Sequence, residues 1–93
     1  MKAEQKEKCR MIANHYGVDS QNLIAIEEMS ELTKELCKHE RKFHREREIV
    51  EELADVSIMI EQLISLFNVE DKVYEVIDYK LDRQIRRMKQ ERE

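Results

Sequence analysis

The chain has 93 residues, of which 41% are apolar and 41% are charged, with a formal net charge of −4 at pH 7. This length predicts one domain, residues 1–93, and the apolar fraction excludes a chain that is disordered by composition. The acidic balance argues against a general nucleic-acid binder, and the lack of an apolar run of about 18 residues argues against a membrane span.

Helix is the secondary structure that the sequence favours throughout. There is no proline, Gly17 is the single glycine, and no Asn-Gly or Asp-Gly pair marks a hairpin. We therefore predict an all-α protein, a compact bundle of about four helices. The N-terminal residues lack the apolar segment of a signal peptide, and Cys9 and Cys37 are isolated. These features predict a cytoplasmic protein whose cysteines stay reduced.

The first two helices are predicted on either side of Gly17. The first covers residues 2–16, and Gly17 is expected to end it in the left-handed conformation. Asp19 or Ser20 is a candidate N-cap for the second helix, predicted over residues 21–42. On its helical wheel one arc is apolar, and we expect that arc to be buried: Leu23, Ile26, Met29, Leu32, Leu36 and Cys37. A stripe of glutamates borders the arc: Glu28, Glu31 and Glu35.

The third helix is predicted over residues 48–67, after a charged connection at residues 41–46. It is the most apolar, and one arc of its wheel is expected to form the core: Leu53, Val56, Ile60, Leu63, Ile64 and Phe67. Glu52 falls inside this arc and Asp55 lies at its edge, where an acid is costly to bury unless something pairs with it. This apolar surface is too large for four short helices to cover, so we expect the chain to associate with copies of itself.

A fourth helix is predicted over residues 71–92. Asn68 is expected to stop the third helix, and Glu70 and Asp71 suit the first turn of the fourth. Its C-terminal half is basic: Lys80, Arg83, Arg86, Arg87 and Lys89.

Two acidic pairs carry the chemistry that this sequence offers. Glu28 and Glu31 are three residues apart, and so are Glu52 and Asp55, so each pair projects from one face of its helix. Like charges at this spacing repel by about 0.2–0.5 kcal/mol in an isolated helix. If the two helices pack side by side, the four carboxylates form a cluster that requires a cation, and oxygen ligands suit Mg²⁺. A solvated helix face is the alternative for the first pair alone.

The two motifs, at residues 27–32 and 51–56, resemble those of the MazG-like all-α nucleoside triphosphate pyrophosphohydrolases. That family is recognised by Glu-x-x-Glu, a variable spacer and Glu-x-x-Asp, and here the resemblance covers residues 20–88. It implies a Mg²⁺-dependent enzyme, with Mn²⁺ as a possible substitute, that hydrolyses (d)NTPs to (d)NMPs and pyrophosphate in nucleotide-pool cleaning. It also implies a homodimer or homotetramer, and the chain looks most like the small, phage-type members. The implied metal-binding and catalytic residues are Glu28, Glu31, Glu52 and Asp55.

The resemblance also bears on substrate binding. Family members often carry a Lys-x-x-Arg element, which Lys80 and Arg83 match here and which suits substrate phosphates. Lys34 is a further phosphate-binding candidate from the second helix, unless it only balances nearby acids on a solvated face. Two positions depart from relatives, namely Asp78, where some have Asn, and Met59, where some have a polar or aromatic residue.

Two other functions compete with this interpretation. The first is a catalytically inactive helical interaction module of the same fold. Such an adaptor should show heptads with few acids near the seam, which Glu52 and Asp55 violate. The second keeps the chemistry and changes the substrate, as a phosphoribosyl-ATP pyrophosphohydrolase.

Overall fold

The computed structural model describes residues 1–92. The described residues form four α-helices and no strand: α1 (Ala3–Tyr16), α2 (Val18–Glu40), α3 (Glu46–Leu66) and α4 (Glu70–Glu91). This confirms the all-α class, and every observed helix end lies within three residues of its predicted position. No described helix is both long and apolar enough to span a membrane.

Backbone conformation explains where the helices stop. Gly17 separates α1 from α2 with φ 88°, and its amide donates to the carbonyl of Ala13 at 2.8 Å. Its ψ of 173° is extended, so it is not left-handed helical as predicted, although the positive φ still favours glycine. The predicted N-cap is wrong, because α2 begins at Val18 and Asp19 therefore lies in its first turn. Asn68 ends α3 as predicted, with φ 52°.

The helices α2 and α3 run antiparallel and form the centre of the fold. Their pairing is shown by two contacts, one from Gln21 to Gln62 and one from Glu35 to Arg45. Helix α1 packs mainly on α3 and also touches α2, whereas α4 approaches only α3 closely. The buried apolar side chains are few, and all but Met59 are small: Cys9, Ala13, Ala25, Val56 and Met59.

The face that α2 turns towards α3 differs from the predicted one. Its buried residues are Gln21, Ala25 and Glu35, with Glu28 half-buried on the same side. The predicted apolar arc is largely exposed in the single chain, including Leu23 at 69% and Ile26 at 57%. The helical period was therefore predicted correctly and the contact face was wrong. The reason is that polar contacts select this face, since Gln21 pairs with Gln62 of α3 and Glu35 pairs with Arg45, which immediately precedes α3.

Helix α3 is buried in part as predicted. Of the predicted arc Val56 lies in the core, whereas Leu53, Ile60 and Phe67 are about half exposed. Met59, which flanks that arc, is buried as well. The predicted arc is wide, and α2 with α1 covers only one side of it in the single chain.

Helix α4 projects from the other three helices. None of its described residues is buried, and its N-terminal end is tied to α1 by Lys6, whose ammonium lies 3.3 Å from Glu70 and 5.5 Å from the ring centre of Tyr74. The radius of gyration is 16.2 Å, compared with about 12 Å for a compact domain of this length. The single chain is therefore more extended than a self-contained bundle.

Three polar layers cross the interface between α2 and α3. They follow a seven-residue repeat of α2, so successive layers are about 10 Å apart. We name them the glutamine layer (Gln21, Gln62), the acid layer (Glu28, Glu52, Asp55) and the arginine layer (Glu35, Arg45). Between the layers the interface is apolar, with Ala25, Val56 and Met59 buried.

The glutamine layer is fully buried and internally satisfied. The amide of Gln21 donates to Gln62 at 2.8 Å, and the hydroxyl of Ser20 donates to Gln21 at 3.1 Å. Both glutamines are 2% exposed. Because a buried amide without a partner is costly, this pair penalises any other alignment of α2 on α3.

We predict that Gln62→Ala lowers the free energy of unfolding by about 1–3 kcal/mol, since it leaves the Gln21 amide buried without an acceptor. The double variant Gln21→Leu/Gln62→Leu should recover most of the loss, because neither polar group then remains. Urea unfolding at one fixed protein concentration measures both effects. A single variant as stable as the wild type would contradict the role given to this layer.

Candidate cation site

Helices α2 and α3 bring three of the four predicted acids together. One carboxylate oxygen from each of Glu28, Glu52 and Asp55 lies within 4.8 Å of the others. Glu28 and Glu52 are half-buried, and Asp55 is exposed. The site is therefore open to solvent on one side and enclosed by the helix pair on the other.

Glu31 stands outside this group of three. It is exposed on α2, although its charge still acts on Glu52 and contributes to raising the pKa of that residue. The two acids of the α2 motif are thus in different environments, because Glu28 faces α3 and Glu31 faces solvent.

The acid layer lacks an internal counter-charge. Within residues 1–92, no Lys, Arg or His nitrogen lies within 4 Å of the carboxylates of Glu28, Glu31, Glu52 or Asp55. The Oε2 atom of Glu52 is buried and has no hydrogen-bond partner in the described part of the chain. A buried acceptor without a donor destabilises the fold unless something outside the chain satisfies it.

The pKa values of these acids reflect the same lack of a counter-charge. Burial raises the pKa of Glu28, and the charges of Asp55 and Glu52 raise it further. Burial also raises the pKa of Glu52, followed by the charges of Asp55 and Glu31. One layer further along, the hydrogen bonds from Arg45 lower the pKa of Glu35. The pKa values of Glu28 and Glu35, which lie on one face of α2, are therefore shifted in opposite directions, because only Glu35 has a cation beside it.

The donor set fits a hard divalent cation. All the available ligand atoms are carboxylate oxygens, which Mg²⁺ and Ca²⁺ prefer and which soft metals do not. Acidic groups of this kind are common without an ion. The buried, unpartnered oxygen of Glu52 is what distinguishes this one from a solvated acidic face.

The predicted phosphate-binding residues do not contact the acid layer in the single chain. Lys34 is exposed on α2, where its charge helps to lower the pKa of Glu35. Lys80 is exposed on α4, and the guanidinium of Arg83 lies 5.6 Å from the ring centre of Tyr79. A role for these cations at the site therefore requires a substrate, or a second copy of the chain, to bring them there.

The two departures from the family pattern have different surroundings. Met59, one turn after Asp55 on α3, is buried in the core. Asp78 is exposed on α4.

Sequence reasoning missed the flanking layers. It placed Glu35 in the acidic stripe and Arg45 in the connection, and it gave Gln21 and Gln62 no role. The available signal was the seven-residue repeat of polar residues at positions 21, 28 and 35 of α2. Their partners on α3 and in the loop before it could not be found from the sequence, because the repeat on one helix does not fix the alignment of the other.

Comparisons of the chain with protein-family models, with curated proteins and with solved structures found no match.

We predict that, without a cation, the acid layer destabilises the fold more at pH 7 than at pH 5. An acid whose pKa is raised on folding binds its proton more tightly in the folded state, so its contribution to stability falls as pH rises through that pKa. Glu52→Gln should therefore reduce the loss of stability between the two pH values, as measured by urea unfolding in chelator. Glu51→Gln is the matched control, since it changes an exposed acid that raises the pKa of Glu52 less than burial, Asp55 and Glu31 do, and it should lose nearly as much stability as the wild type.

Mg²⁺ should reverse this effect at pH 7. At ten to a hundred times its Kd, a ligand of the folded state adds about 1–3 kcal/mol to the free energy of unfolding. The wild type and Glu51→Gln should gain this stability, and Glu52→Gln should gain much less. Equal gains in all three proteins would show that the ion acts elsewhere.

Proposed function

We propose that the protein is a Mg²⁺-dependent nucleoside triphosphate pyrophosphohydrolase, which converts (d)NTPs to (d)NMPs and pyrophosphate and acts in cytoplasmic nucleotide-pool cleaning. The acid layer supports this proposal, because it gathers carboxylates around a buried oxygen that has no partner in the described chain. The order and spacing of the two acidic motifs, which resemble those of the MazG-like enzymes, indicate the reaction.

The four acids would divide the work according to their surroundings. Glu28, Glu52 and Asp55 point at a common space and would hold the ion, with Glu31 beside them. When bound, Mg²⁺ would supply positive charge that offsets the charge developing on the phosphates. Of the two acids of the α2 motif, Glu31 is the more exposed to solvent, and it is suited to accept the proton of the attacking water. The water oxygen would bond to the α-phosphorus as the α–β anhydride bond breaks, and pyrophosphate would leave.

The triphosphate would also need cations of the chain. Lys34 lies one turn beyond Glu31 on α2, and Lys80 and Arg83 supply a point charge and a forked donor on α4. Because α4 projects away from the site in the single chain, we propose that assembly brings these residues to the substrate.

The exposed apolar surface supports assembly as a homodimer or homotetramer. Five apolar residues of the described chain are buried. Most of its large apolar side chains are exposed to water, including Leu36, Leu53 and Ile60. Monomeric proteins rarely expose apolar patches of this extent. Helix α4 adds a further exposed apolar stripe: Val76, Ile77, Leu81, Ile85 and Met88.

The activity test uses a panel of canonical and modified NTPs and dNTPs with Mg²⁺ or Mn²⁺, with pyrophosphate and monophosphate both measured. Glu52→Gln and Asp55→Asn should each reduce kcat/KM at least about 100-fold, since each removes an interaction with the ion. Glu51→Gln is the matched control and should retain wild-type activity. Full Mg²⁺-dependent activity in either site variant would show that these acids are not the catalytic site.

The products separate the competing functions. Release of single orthophosphate would overturn the reaction class, and turnover of phosphoribosyl-ATP alone would identify the related branch as the correct one. A folded wild-type protein that binds Mg²⁺ and turns over no substrate would favour the interaction module.

The assembly test is sedimentation or light scattering at micromolar concentration. We expect a dimer or larger species for the wild type and a shift towards monomer for Ile60→Asp, because the new charge would be buried in the interface. Met11→Asp is the control, since Met11 is exposed on α1, outside the α2 and α3 faces. A stable wild-type monomer would contradict the proposal.

A further inference from the structure

Acidic residues continue from the acid layer towards the loop that joins α2 to α3. Glu35 lies one turn after Glu31 on α2, and Glu48 lies one turn before Glu52 on α3. Side chains at this spacing are about 5–6 Å apart at Cβ. The two helices therefore carry a second set of four acids, Glu31, Glu35, Glu48 and Glu52, next to the acid layer and sharing two residues with the acidic motifs.

Arg45 occupies the far side of this second set. Its Nε and Nη2 atoms donate to the two carboxylate oxygens of Glu35 at 2.8 and 3.2 Å, and its Nη1 atom lies 3.8 Å from a carboxylate oxygen of Glu48. One guanidinium thus binds an acid from each helix. A forked contact to both oxygens fixes the orientation of the Glu35 carboxylate as well as offsetting its charge.

Glu35 depends on this contact more than an exposed acid would. It is 8% exposed, and the only other cation within 4 Å of it in the described chain is Lys38, at 3.7 Å. A carboxylate buried to this extent requires a cation, either from the protein or from solution. Glu28, in the equivalent position one layer away, has no such cation.

We propose that Arg45 is a positioning residue that acts as a built-in cation, holding Glu35 and Glu48 away from the metal so that the divalent ion binds only at the acid layer. This inference rests on the cation site of the proposed function, and it adds a reason why ions bind at that site alone. The arginine side chain stands where a second ion would otherwise neutralise the second set of acids. It also ties the loop at residues 41–45 to α2, which fixes the start of α3.

The consequence is a change in the number of ions bound. Replacing Arg45 by Met removes a positive charge of the chain, which leaves Glu48 without its cation and Glu35 with only the longer contact to Lys38, beside Glu31 and Glu52. We expect Arg45→Met to bind one more Mn²⁺ per chain than the wild type. The double variant Glu35→Gln/Arg45→Met should return to the wild-type number, because the buried carboxylate is then neutral. A purely structural role of Arg45 would change stability and leave the number of ions unchanged.

The experiment is a Mn²⁺ titration of the full chain, followed by the electron paramagnetic resonance signal of the free ion. Lys38→Met is the matched control, since Lys38 also lies near Glu35 without the forked contact, and it should bind as the wild type does. A folded Arg45→Met with wild-type stoichiometry and affinity overturns the inference. If Arg45→Met is unfolded in chelator, recovery of its helical circular dichroism with Mn²⁺ supports the inference, and failure to recover overturns it.

The outcomes also separate this inference from the proposed function. An extra ion in Arg45→Met together with a wild type that hydrolyses no nucleotide supports the role of Arg45 and removes the enzymatic proposal. If the two proteins bind Mn²⁺ equally and the wild type is active, the role of Arg45 is removed and the enzymatic proposal is supported. If neither protein binds Mn²⁺, the cation site itself is wrong and both fail.

Discussion

The alignment of α2 on α3 is the constraint on which the rest of the structure depends. The glutamine layer and the arginine layer each match a donor with an acceptor across the interface, at 2.8 Å in both cases. A shift by one helical turn would break both contacts and bury several polar groups without partners, which is a penalty that apolar packing alone does not impose. The acid layer lies between the two, so its three carboxylates are held together by contacts made elsewhere.

This use of polar contacts explains the unusual distribution of apolar residues. Because α2 turns Gln21, Glu28 and Glu35 towards α3, its larger apolar side chains face outward. The same holds for Leu53 and Ile60 on α3 and for most of the large apolar side chains of α4. The single chain therefore encloses polar groups within a helix pair and leaves much of its apolar surface exposed, as the proposed assembly requires. An interface of that kind would supply the apolar burial that the small core lacks.

The sequence was sufficient to predict where the helices lie, but it did not predict which face of each helix is buried. Helix bounds followed from local signals, such as Gly17 and Asn68, that act through the backbone of a few residues. The meeting of Glu28 with Glu52 and Asp55 also followed, because motif spacing puts each pair on one face. The buried side of α2 did not follow, since a helical wheel ranks faces by apolarity and this interface is chosen by polar matching. Arg45 lies in a loop outside any period, so its partner could be found only from the coordinates.

The contrast between Glu28 and Glu35 is the strongest support for the proposed cation site. Both residues sit on the same face of α2, seven residues apart, and both are turned towards α3. One has its charge met by an arginine of the chain, and the other faces two further acids with no cation near. An arginine or lysine on α3 would have satisfied Glu28 as Arg45 satisfies Glu35. The chain instead places Glu52 and Asp55 there, at the cost in stability that unpaired charges bring, and the Mg²⁺ of the proposed function would offset that cost.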